Sequence, residues 1–228
     1  LNVFSDKTND SRYDGTFTTV YRGNWKRGGT ANDVLYNANQ LPVQMDAPIF
    51  TILDADPGNI VYSTGAGKSN IGAGEIPGRA DWVIAPQDVS RIVYPGLWKI
   101  GPYRTDNGNS LGQMNIEYTR PFPIAKFSEL YFLAAEAAVK GAATTSGLDA
   151  RDLINVIRAR AGKWRWDNND KVAKAEDNSA AMTAATPAVI DIDYILDERS
   201  REYYGEGFRW FDLARTQTWH TRAASYTI

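Results

Sequence analysis

Between positions 198 and 215, Glu198, Arg199, Glu202, Glu206, Arg209, Asp212 and Arg215 crowd ionisable side chains among bulky apolar neighbours. Two carboxylates held at a fixed gap are what a glycoside hydrolase uses as its acid and its base or nucleophile. Here each carboxylate has an arginine close by in the chain, and a guanidinium partner depresses a carboxylate pKa. A general acid needs the opposite shift. Charge and aromatics also alternate too closely for a solvated helix, which would keep its charges on one face. Arginine forks pair bidentately with carboxylates, a task that lysine does less well. These residues therefore predict a structural ion-pair network that locks helices together, and no residue is assigned a catalytic role.

The aromatic residues of the loops suit a different chemistry. Trp25, Tyr36, Trp82, Tyr94, Trp98, Tyr103, Trp164 and Trp166 lie in or beside stretches rich in Gly, Asn and Asp. Sugar rings present apolar C–H faces that stack on indole and phenol rings, while their hydroxyls need Asn, Asp, Gln and Arg nearby. Trp and Tyr combine a flat apolar face with a polar handle. Trp82 follows Arg79 and Asp81, and Trp98 stands by Lys99, Tyr103 and Arg104. Trp164-Arg165-Trp166 runs into Asp167-Asn168-Asn169, a cassette for stacking and hydrogen bonding. The candidate ligand-binding set is Trp82, Trp98, Tyr103, Trp164, Trp166, Trp25 and Tyr36. The competing reading for each ring is a plug in an apolar pocket beneath its own loop, since Trp is highly buried on average. Trp210 and Phe211, inside the charged stretch, are expected in the core.

Other motifs fail on spacing. Gly65-Ala66-Gly67-Lys68-Ser69 invites a phosphate loop, but Tyr62 stands where the first glycine belongs, and the glycines after Ser69 cannot open a helix. Asp54, Asp56 and Asn59 could offer oxygens to calcium, yet Gly65 occupies the twelfth position of an EF-hand loop, where a bidentate Glu is required. That turn, and the one at Asp106, Asn107 and Asn109, would hold at most a loose surface calcium, and no cofactor or metal is assigned. With no cysteine, disulfides, thiolate metal sites and a cysteine nucleophile are excluded, and His220 as the single histidine nearly excludes multi-histidine metal sites and a classical Ser-His-Asp triad. A formal net charge of −2 without a basic stripe speaks against nucleic acid. No apolar run approaches the roughly 18 residues of a membrane span.

The elements that must hold these residues fall into regions. Residues 1–124 are broken by turn signals such as Asp56-Pro57-Gly58-Asn59 and Asp106-Asn107-Gly108-Asn109, and they predict short strands and long, ligand-facing loops. Residues 125–216 change character. Phe127, Leu130, Tyr131, Ala134, Ala135 and Ala138 recur at helical spacing between Ala125 and Lys140, with Gly141 set to close the helix in the left-handed conformation. Ala150, Leu153, Ile154, Ile157 and Ala161 do the same between Asp149 and Ala161. A third helix is expected from about Val189 to Tyr204. Lys163 to Ala188, polar and alanine-rich, reads as a mobile loop. Residues 217–228 begin a further segment. The fold class expected is mainly α, with tetratricopeptide-like helical hairpins and a long irregular region containing short strands.

Three blocks resemble one family. ILDERSREYYGEGFRWFDLART, from Ile195 to Thr216, is similar to the ERxxEx(x)xEGxRWFDLxR signature of the SusD/RagB family. Phe127 to Ala137 and Ile154 to Gly162 resemble two further family blocks in the same order, and Asn9 to Phe17 resembles a looser upstream one. The resemblance implies a non-catalytic lipoprotein on the external face of the outer membrane of Bacteroidota. Such a protein captures oligosaccharides or polysaccharides and hands them to a SusC-like TonB-dependent transporter. It also implies that membrane association comes only through a lipid anchor outside this sequence. A chain that opens at Leu1, and lacks the family's N-terminal helical half and closing segment, reads as an internal piece of a longer protein. Two alternatives keep the architecture: a RagB-like peptide-uptake protein, and an interaction scaffold without its own ligand.

Overall fold

The computed structural model describes residues 3–23, 26–28, 32–37, 41–54, 82–91, 93–100, 123–143 and 146–224. The chain divides into two compact units. One joins Leu1–Thr16, Thr119–Asp167 and Val172–Ile228; the other joins Phe17–Tyr118 with Asn168–Lys171.

The first unit holds the α-helices described, seven in number. A short α1 (Arg12–Thr16) is followed, much later in the chain, by α2 (Ser128–Val139) and α3 (Ala150–Ala161), which pack together. Phe132 and Ala135 of α2 meet Leu153, Ile154 and Ile157 of α3, and α5 (Ile192–Glu202) adds Ile195 to the same buried cluster. In α3 the helical period seen in the sequence is the period of burial, but in α2 it is not: Phe127 and Leu130 of the expected stripe are exposed, and the buried ring is Phe132, which the stripe left out. Each end has a physical cause. Asp149 accepts from the Asp152 amide at 2.8 Å, and the Asp152 carboxylate accepts from the Asp149 amide at 3.2 Å, so the start of α3 is reciprocally capped. Gly141 ends α2 at φ +93°, the conformation expected of it. Gly162 ends α3 for a different reason: a Cβ there would lie 2.8 Å from the backbone of Asn178 and Ser179. The Ala161 carbonyl accepts from both the amide and the hydroxyl of Ser11, which ties the N-terminal residues to these helices.

Lys163 to Ala188 is not a mobile loop. It forms a hairpin of strands β8 (Lys163–Asp167) and β9 (Val172–Asp177), then helix α4 (Ser179–Ala184). A polar strand is stabilised here because Trp164 turns inward, with its neighbours Lys163 and Arg165 outward. One inward ring, with Trp166 exposed and a bulge between the two, leaves no period of two for the sequence to show. Helices α6 (Phe208–Arg215) and α7 (Trp219–Ala224) complete this unit.

The second unit is a set of short strands: β1 (Phe17–Thr18), β2 (Val20–Arg22), β3 (Arg27–Gly28), β4 (Asp33–Val34), β5 (Pro48–Ile52), β6 (Trp82–Ile84) and β7 (Gly96–Leu97). Their order places β5 at the centre of a three-stranded sheet, antiparallel to β2 and parallel to β6. β1 leaves this sheet to pair with β7, Phe17 opposite Leu97 and Thr18 opposite Gly96. Phe17, Val43, Ile52, Val83 and Ala85 are its buried apolar residues. Gly23, just past β2, is required by proximity, since a Cβ would meet the Gln44 carbonyl oxygen at 2.3 Å.

Candidate functional site

The three-stranded sheet places aromatic residues in register. Tyr21 on β2 is opposite Phe50 on β5, and Phe50 is opposite Trp82 on β6. The Tyr21 and Phe50 rings stand 5.4 Å apart with planes tilted by 57°. The Tyr21 hydroxyl donates to the Tyr94 carbonyl at 3.4 Å, and Gly96 leaves room for it: a Cβ at Gly96 would sit 2.6 Å from that oxygen. Partial burial pushes the Tyr21 phenol pKa up, so it is a neutral donor. Tyr94 itself is 57% exposed. Two adjoining strands therefore place a phenol and a phenyl side by side, with a tryptophan position one strand further on and the exposed Tyr94, two residues before β7, meeting Tyr21 through its carbonyl. Flat apolar rings with polar rims are what a sugar or a peptide side chain can lie against.

The expected ligand-binding residues are distributed as follows. Trp82 is placed in β6. Trp98 directly follows β7 and is half-buried. Tyr36 is exposed, beside an isolated bridge to Pro42. Trp166, on β8 opposite Ala173, is 49% exposed. Trp25, Tyr103, and the calcium candidates Asp56, Asn59, Asp106, Asn107 and Asn109 lie outside the described residues, as does the Gly65–Ser69 stretch. Trp164 has to be corrected. It is buried, its indole N–H donates to the Asn9 carbonyl at 3.2 Å, and the Lys174 ammonium lies 3.5 Å from its ring centroid. A ring enclosed in this way offers no sugar a face. Asn169, read as part of the same cassette, spends its amide on the protein's own backbone. Tyr21 and Phe50 were missed. The signal for them was the short apolar run from Ala47 to Leu53 and its partner Val20-Tyr21-Arg22, whose pairing no local pattern encodes.

The charged stretch has its geometry in α5 and α6. Glu198 is fully buried, and its carboxylate accepts from Arg12 and Arg201 at 2.6 Å each and from Arg158 at 2.9 Å. Burial alone would raise its pKa, but the three guanidiniums outweigh that and hold it far below the usual carboxylate range. Arg12 also forks onto Asp10, with contacts of 2.8 and 2.6 Å, and its own pKa is driven up by these carboxylates against the pull of burial. Glu202 pairs with Arg160 at 2.5 Å and Glu206 with Lys126 at 2.5 Å. Arg199 lies against the rings of Phe132 and Tyr203, at 5.3 and 5.2 Å from their centroids, and holds Asp212 at 2.8 Å and Glu129 at 3.0 Å. Arg215 joins Asp212 to Glu136. Arg209 donates to the Leu196 carbonyl at 3.1 Å. Most partners therefore come from α1, α2 and α3 and not from within the stretch. Glu198, Glu202, Glu206 and Asp212 each have at least one cation within ion-pair distance.

Trp210 and Phe211 are not core residues; they are 65% and 75% exposed. The short α6 turns Asp212 and Leu213 inward, because Arg199 takes Asp212, and the helical period then carries Trp210 and Phe211 to the opposite side. Trp210 stacks on Trp219 of α7 at 4.4 Å, with planes 21° apart.

These features define a class: a helical scaffold locked by buried ion pairs, with a short-stranded unit that presents aromatic side chains. The chain belongs to the SusD family, whose model matches residues 5–226, nearly its full length. Members of that family are nutrient-binding accessory proteins associated with the outer membrane. A comparison with curated proteins returned no match. Among the described residues no helix is long and apolar enough to cross a membrane, and no three His, Asp or Glu side chains gather as a cation site would require.

Proposed function

We propose that this protein is a non-catalytic capture protein that binds oligosaccharides and delivers them to a SusC-like TonB-dependent transporter at the external face of the outer membrane. The observation that carries the reading is the row Tyr21, Phe50 and Trp82 in register across one sheet, with exposed Tyr94 joined to Tyr21 through its carbonyl. Capture of this kind uses stacking surfaces and many modest hydrogen bonds, and it needs no bond-breaking group or cofactor. The carboxylates of α5 and α6, tied down by arginines, agree with a scaffold role for that region. In this reading α2 and α3 form one repeat of tetratricopeptide type, and a lipid anchor beyond this sequence supplies the attachment to the membrane.

The test is native affinity electrophoresis of the full-length protein through gels containing plant, host and microbial polysaccharides. Retardation in one gel, lost on Tyr21→Ala or Trp82→Ala, supports saccharide capture and names the cargo class. Free migration in every gel, together with binding of a peptide library, would replace the cargo by peptide. Free migration with neither ligand, but co-purification with the transporter, would leave a scaffold.

A further inference from the structure

Asn169 makes more contacts than a turn residue requires. It stands at the tip of the β8–β9 hairpin, two positions before Lys171, whose φ of 54° lies in the left-handed region. Its Oδ1 accepts from the backbone amides of Thr19 and Val20, at 2.7 and 3.1 Å, and its Nδ2 donates to the Phe17 carbonyl at 3.3 Å. Its own carbonyl accepts from Arg22 at 2.6 Å. Arg22 donates in turn to the Asp46 carbonyl at 3.1 Å, and the Lys171 ammonium pairs with the Asp46 carboxylate.

The place where these contacts fall gives them meaning. Thr19 is the single residue between β1 and β2, and it is buried. At that residue the chain leaves the pairing with β7 and enters the pairing with β5. Backbone amides at such a break have lost their ladder partners and must find others. The Asn169 carboxamide supplies an acceptor and a donor in the arrangement of a peptide group, so it serves as a piece of strand where none runs. On one side of the break, β7 leads to Trp98; on the other, β2 carries Tyr21.

We propose that Asn169 is a positioning residue of the aromatic face: it fixes β2 relative to the β1–β7 pair and so sets the spacing of the Tyr21 and Trp98 positions for a ligand. The proposal rests on the saccharide-capture reading above. Asn suits the position because Asp would keep the two accepted bonds but lose the one donated to Phe17, and Ala would lose all three.

Hydrogen exchange and affinity electrophoresis on the full-length protein, with Asn169→Ala and Asn169→Asp, test it. Asn169→Ala is expected to speed exchange of the Thr19 and Val20 amides on the order of tenfold or more, with Tyr21 and Leu97 following and the amides of α2, α3 and α5 unchanged. Polysaccharide retention should fall several-fold in the same variant. Asn169→Asp should keep Thr19 and Val20 protected and recover part of the retention, a rescue that loss of fold would not show. Unchanged exchange at Thr19 and Val20 in Asn169→Ala overturns the proposal, and so does faster exchange with full retention. If the native protein is retained in no gel, the capture reading fails separately. Positioning is then decided by whether Tyr21 and Leu97 lose protection together with Thr19 and Val20.

Discussion

Glu198 is a carboxylate with no exposure and three arginines, and its substitution has a definite cost. Replacing it by Gln leaves Arg12, Arg158 and Arg201 converging on a neutral amide in a buried site. Breaking a buried ion pair by removing one partner costs about 3–5 kcal/mol. Urea denaturation of Glu198→Gln should show that loss, while Phe211→Ala, on an exposed ring, should change stability by less than about 0.5 kcal/mol. At Gly96 the expected effect is on binding and not on folding: an added methyl would strike the Tyr21 hydroxyl, so Gly96→Ala should shift Tyr21 and weaken polysaccharide retention. At this scale the chemistry of the charged stretch was legible because arginine beside carboxylate has few other uses. Its partners were not. Arg12 lies 186 positions from Glu198 in the chain, and nothing local reports such a distance. Trp164 shows the same limit from the other side, since its type suited a sugar and only packing revealed Lys174 on its face.

Helices α2, α3 and α5 were readable as elements because their apolar residues recur with the helical period and because their ends carry capping chemistry. Asp149 is the clearest case, and Asp149→Ala should destabilise the unit by about 1 kcal/mol, measured as a lowered denaturation midpoint. Gly162→Ala should cost more than an ordinary Gly-to-Ala change at a helix end, because the new methyl would press on the backbone at Asn178. The β8–β9 hairpin was unreadable: Trp164 is its one buried residue, and Trp166 and Val172 face outward among the charged side chains, so no alternation of apolar and polar residues marks either strand. Strands of two or three residues, such as β1 and β7, are too short for any pattern, and their pairing depends on contacts far apart in sequence.

For the whole molecule, the balance between carboxylates and arginines makes stability depend on pH in one direction. Glu198 and Glu136 both have pKa values lowered from the ordinary 4.5, against burial that would raise them, by Arg12, Arg201 and Arg158 in the first case and by Lys140 and Arg215 in the second. Groups lowered on folding bind fewer protons folded than unfolded, so their contribution is complete above about pH 4.5 and is lost as pH falls towards the folded pKa values. Melting temperature should therefore be level from neutral pH down to that region and drop steeply below it. In Glu198→Gln the drop should be shallower, because the largest titrating contribution is gone. Stability independent of pH down to 3 would contradict this account. The stacked indoles of Trp210 and Trp219, at the corner where α6 meets α7, have an optical consequence. Two like transition dipoles at 4.4 Å couple as an exciton and split the far-ultraviolet dichroism into a signed couplet. A Trp219→Phe difference spectrum would isolate that couplet, and its fading on heating or on partner binding would time the motion of this one corner without any added label.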